Sequence, residues 1–205
     1  MTILIFIKAF RDQCQPFDET IFSPYLAIVR ASPEIIALTL FLLSLILHEV
    51  WLLSLSVGSY ANWALNVALK RSFLQAVPVA GCVSFSLYCG PDGTDACGMP
   101  AFNAQYNAFL VTSQIIYTYQ WHAPHVRQWH IFGTMLWMSL VNSTHLYFNF
   151  NSAAQLIVGT AVGCAFALVW QLFVFAAIYP YYDRILRWRI ISYFGYRDTW
   201  CKSDD

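Results

Sequence analysis

Lys70, Arg71, Asn103, His145, Asn151 and Gln155 are the side chains whose types and spacing bear most directly on chemistry in this chain. Adjacent cations can hold an anion, and an imidazole can attack phosphorus or carry a proton. A carboxamide can only hydrogen-bond, because it has no basic lone pair and no dissociable proton near neutral pH. Lys70, Arg71, Asn103, His145 and Gln155 therefore form a candidate polar pocket for a lipid headgroup. In the competing reading, Lys70 and Arg71 snorkel to a membrane boundary and the amides bond one another across helices. The low cost of ionisable groups at the ends of membrane spans favours that second reading. His122, His125 and His130 cluster in sequence without a Cys or carboxylate beside them, so they read as a boundary loop. No metal and no other cofactor is expected. Glu34 follows Pro33 and reads as a first-turn carboxylate favoured by the helix dipole.

Composition then bounds what can position these groups. The 205 residues are 59% hydrophobic, 18% aromatic and only 11% charged, whereas soluble domains average roughly 25% charged. So few charges cannot cover a water-exposed globule, and the chain reads as an all-α, multi-pass transmembrane bundle. Eleven basic and eleven acidic side chains balance, which gives no electrostatic case for nucleic acid as a partner. About five spans are expected, at Ser32–Leu47, Trp51–Leu69, Ala101–Tyr119, Trp129–Tyr147 and Ala153–Ile178. His48-Glu49 makes a tight turn between the first two, Val77–Met99 forms a loop, and Gln120–Gln128 forms a polar hinge. Residues 1–31 read as an interfacial amphipathic segment, 32–179 as the transmembrane domain and 180–205 as an aromatic, basic tail. The N-terminal segment has no clear small-residue cleavage site and is not read as a removed signal peptide.

Basic residues concentrate in the tail, at Arg184, Arg187, Arg189, Arg197 and Lys202, while Val77–Met99 has none. The expected orientation puts the tail on the cytosolic or matrix side and that loop in the lumen or intermembrane space. Cys89 and Cys97 share the loop and can pair in an oxidising compartment or remain free thiols. Cys164 lies in an apolar span and reads as a packing residue. Asn142-Ser143-Thr144 matches a glycosylation sequon but sits at the end of a span, out of reach of a transferase.

Three spaced motifs bring Lys70, Asn103 and Asn151 to one membrane face. The first runs Lys70 to Val77-Pro78, the second is Pro100-Ala101-Phe102-Asn103 after Gly98-Met99, and the third is Thr144-His145 through Asn151 to Gln155. With Ser32-Pro33, Asn62-Trp63 and Arg197-Asp198-Thr199, this frame resembles the type-2 phosphatidic acid phosphatase superfamily, in particular its dolichyl-diphosphatase branch. The resemblance covers roughly Ser32 to Thr199. It implies a pattern K-x6-R-P, P-S-[SG]-H and S-R-x5-H-x3-[DQ]. In that pattern the last His is the phosphate-accepting nucleophile, the middle His is the general acid, and the Lys and Arg groups clamp phosphate.

Measured against that pattern, Lys70, Pro78, Pro100 and Gln155 are retained. Val77 stands where the first clamp Arg belongs, His145 where the second belongs, Asn103 at the acid and Asn151 at the nucleophile. No catalytic residue is therefore assigned, since replacing one essential imidazole removes orders of magnitude in rate and both are replaced here. The expectation is an inactive, accessory or structural subunit of a membrane complex, of respiratory-chain or ATP-synthase type, partnered by other membrane subunits and lipids. A lipid-headgroup-binding protein using the former pocket is the first alternative. An active lipid phosphatase with His145 as a displaced nucleophile is the second. The endoplasmic reticulum membrane and the mitochondrial inner membrane both fit.

Overall fold

A computed structural model describes residues 29, 32–73, 98–121 and 124–181. Val77, Cys89, Cys97, the interfacial segment and most of the tail fall outside them. The described residues form five helices and no strand: α1 Ser32–Leu47, α2 Val50–Phe73, α3 Phe102–Trp121, α4 Pro124–Tyr147 and α5 Ala153–Phe173. The last helix continues through a π-helical turn, Val174–Ile178, and a 3₁₀ turn, Tyr179–Tyr181. Pro180 has no N–H and its ring crowds the carbonyl four residues back, which accounts for the widened ladder there.

Helix boundaries follow local chemistry. Ser32 and Pro33 open α1, with Glu34 in its first turn as expected. His48 at φ 55° makes the reversal into α2, in the left-handed region that His enters more readily than most side chains. Pro124 starts α4 at the position where a missing N–H costs nothing. Of the hinge expected over Gln120–Gln128, the described residues are helical, Gln120 and Trp121 ending α3 and Pro124 to Gln128 opening α4, and residues 122–123 lie outside the described residues.

α3 lies at the centre and packs most extensively on α5. The two run in the same direction, since Ala101 meets Gln155 and Gly159, Gln105 meets Gly163, and Phe109 meets Phe166. Gly159 and Gly163, four residues apart, permit this approach, as small residues do where helices pack without water. A Cβ on Gly159 would stand 2.6 Å from Ala101 O, and one on Gly163 would overlap Gln105 O. At the far end, Trp51, Leu55, Phe109, Ala167 and Val174 form the apolar core. Trp51 stacks on Tyr117 there at a centroid distance of 4.4 Å.

The distribution of polarity is inverted relative to a water-soluble bundle. Asn62, Asn66, Gln105, Asn107, Thr118 and Gln171 are buried, while Leu38, Ile46, Trp129, Phe132, Leu136 and Ile157 point outward. Among the described residues one helical stretch, Ala153–Tyr181, is both long and apolar enough to cross a membrane. α1 is apolar but short, and α2, α3 and α4 carry the buried amides and hydroxyls that lower their mean hydropathy. Five spans are thus not established by length and hydropathy alone.

Candidate functional site

The motif residues meet where α3 and α5 begin and α4 ends. α4 stops in a Schellman turn. Asn149 takes φ 55°, the Asn149 N–H donates to Leu146 O at 3.1 Å, and the Phe150 N–H donates to His145 O at 3.0 Å. Asn tolerates that left-handed position because its short polar side chain relieves little-populated backbone conformations. The turn folds Phe150 edge-on to the His145 ring, with centroids 5.6 Å apart, and brings Asn151 back over the imidazole.

α5 then opens on a capping box. The Gln155 N–H donates to Ser152 Oγ at 3.3 Å, and the Ser152 N–H donates to Gln155 Oε1 at 3.1 Å. This satisfies two of the helix's orphan donors. It also determines the orientation of every amide that follows. Gln155 Oε1 is an acceptor, so the Asn151 atom 3.3 Å from it is the donor Nδ2. Asn151 Oδ1 then faces His145 Nδ1 at 3.1 Å and accepts its proton. In the neutral ring the other nitrogen, Nε2, is an acceptor, and it takes a hydrogen bond from Asn103 Nδ2 at 2.9 Å. Asn103 Oδ1 is buried with no hydrogen-bond partner.

His145 is 2% exposed, and an amide holds each of its ring nitrogens. The Nε2 lone pair that could attack phosphorus is directed at Asn103. What this arrangement does chemically is join three helices by neutral, directional bonds.

Two further groups of amides hold the neighbouring elements. Asn66 Nδ2 donates to Gln105 Oε1 at 2.8 Å and to Pro100 O at 3.2 Å, and Gln105 Nε2 donates to Asn62 Oδ1 at 2.8 Å. Trp137 Nε1 donates to Asn107 Oδ1 at 3.1 Å, while Asn107 Nδ2 donates to Asn103 O at 2.8 Å. Sequence reasoning assigned no role to Asn66, Gln105, Asn107 or Trp137, and noted Asn62 only within the family-like Asn62-Trp63 pair. The spacing of Ser59, Asn62, Asn66 and Lys70 along one face of α2 was the available signal.

Of the residues expected to bind a headgroup, the structure brings Asn103, His145 and Gln155 together. Lys70 is at the same end of the bundle, one turn beyond Asn66. It is 7% exposed and does not snorkel into solvent. Among the described residues no hydrogen bond joins it to Asn103, His145 or Gln155. Arg71 is exposed on a different face of α2. Cys164 is a free thiol accepting a hydrogen bond from Thr112 Oγ1 at 3.4 Å, in keeping with a packing role.

Among curated proteins, the chain is similar to the lipid phosphate phosphatase epsilon 2, chloroplastic, of Arabidopsis thaliana, at 27% identity over 150 residues. That alignment covers 70% of this chain and 46% of that protein, so the chain spans about half the length of the relative it matches. No family profile and no solved structure matches the chain. The similarity supports phosphatase-superfamily ancestry. Because the relative is a phosphatase, it lends no support to loss of activity.

Proposed function

We propose that the chain is a multi-pass helical membrane protein of phosphatidic acid phosphatase descent, close to the dolichyl-diphosphatase branch. In this reading it has lost catalysis and serves as a structural subunit of a membrane complex. The observation that carries the reading is His145. The one imidazole in the motif region has both nitrogens engaged by Asn103 and Asn151, the two residues at the family's imidazole positions. Loss of the two reacting groups and retention of the packed frame point the same way. The buried amides and outward Leu, Ile, Phe and Trp side chains support several spans, because hydrocarbon rewards polar groups that satisfy each other inside.

Native purification in mild detergent tests the subunit role. The expected outcome is co-purification with other membrane subunits at fixed stoichiometry, and a monodisperse, partnerless chain would overturn it. Fractionation of the same preparation assigns the endoplasmic reticulum or the mitochondrial inner membrane.

The second reading, a headgroup-binding protein using the former pocket, draws on the burial of Lys70 beside the motif cluster. A buried ammonium needs an anionic counterpart. That reading expects a co-purifying anionic or polyprenyl lipid that disappears in Lys70→Ala/His145→Ala, and unchanged lipid content would remove it.

A further inference from the structure

A second cleft lies outside the motif cluster, between the first turns of α1 and α3 and the facing side of α2. It encloses about 220 Å³ and is lined by Glu34, Ser59, Tyr60, Trp63, Phe102 and Tyr106, with Ala37 and Leu38 at its edge. Four aromatic rings and one carboxylate thus converge on a single small space. Phe102 and Tyr106 are one helical turn apart on α3, with ring centroids 5.8 Å apart and planes inclined by 56°.

Such a lining selects its ligand by chemistry. Aromatic faces attract a cation through the ring quadrupole when it sits within about 6 Å of their centroids. A primary ammonium or a guanidinium brings several N–H donors that need acceptors, and the rings offer none. A quaternary ammonium has no N–H, so ring faces and one carboxylate meet all its requirements.

The Tyr106 hydroxyl is buried without a hydrogen-bond partner, while Ser59 Oγ donates to Leu55 O at 2.9 Å. Leu38, Tyr60 and Trp63, exposed at the mouth by 56%, 49% and 46%, give an attached acyl chain an apolar surface to follow.

We propose that this cleft binds the quaternary ammonium of a choline-headgroup membrane lipid. The proposal stands on residues other than the His145 cluster and holds whether or not the chain retains catalysis.

Calorimetric titration of the full chain in detergent, with dihexanoylphosphatidylcholine and dihexanoylphosphatidylglycerol as probes, tests it. The choline lipid is expected to bind at least tenfold more tightly than the glycerol lipid. Glu34→Gln and Trp63→Leu are each expected to weaken the choline lipid at least tenfold. Phe132→Leu, on the exposed face of α4, is expected to leave it unchanged. Should Glu34→Gln fail to fold, Tyr60→Leu at an exposed position takes its place. Competition isolates the group that is recognised. Choline chloride is expected to displace the bound choline lipid, and failure to displace it overturns the proposal. Equal affinity for the two lipids, or undiminished affinity for the choline lipid in the variants, overturns the proposal.

Discussion

Asn103 Nδ2 lies 2.9 Å from His145 Nε2, joining the start of α3 to the end of α4 across 42 residues of chain. In the phosphatase pattern that the motifs resemble, the position of Asn103 carries the general acid and that of His145 a phosphate-clamping Arg. Here the two side chains hydrogen-bond to each other.

The first prediction concerns what that bond does for stability. His145→Ala strands Asn103 Nδ2 and Asn151 Oδ1 together, and each orphaned buried group costs about 1–3 kcal/mol. Asn103→Ala strands only the His145 Nε2 lone pair and also removes an Oδ1 that is already without a partner. Denaturant unfolding in micelles is therefore expected to rank His145→Ala well below Asn103→Ala. Equal losses would mean that His145 does not sit at the centre of the cluster.

Glycine substitutions test the α3–α5 contact. Gly163→Ala drives a methyl into Gln105 O, and Gly133→Ala meets nothing within 4 Å. Overpacking typically costs about 1–3 kcal/mol, while Gly→Ala in an open helical position gains up to about 1 kcal/mol. The two changes should move the melting temperature in opposite directions. A neutral Gly163→Ala would contradict the close approach of the two helices.

Catalysis can be measured directly. Phosphatidate or dolichyl diphosphate incubated with the purified chain is expected to yield no phosphate above a protein-free control, and His145→Ala should give the same baseline. Release that disappears in His145→Ala would instead establish the imidazole as a displaced nucleophile.

Much of the helical frame was legible in the sequence because apolar runs and their punctuation are local. The run from Ser32 to Leu47 becomes α1, and the last three expected spans agree with α3, α4 and α5 to within a turn or so, apart from the earlier start of α4. Pro124 and the pair Ser152 and Gln155 explain where the helices begin, although the earlier start at Pro124 was hidden by the polar composition around it. Alternating span direction was also enough to place Lys70, Asn103 and Asn151 at one end.

Only the tertiary structure decided how those residues are used. Sequence left two readings open for Lys70, Asn103, His145 and Gln155: a shared headgroup pocket, or a snorkelling Lys70 with the amides bonding each other. The folded chain engages the amides with His145 and Ser152 and buries Lys70. It also links Asn62 and Asn66 to Gln105 across some forty residues. Hydrogen bonds are short and directional, so which amide meets which depends on helix separation and rotation. Those are set by the contact of Gly159 and Gly163 with α3, and no local pattern records them.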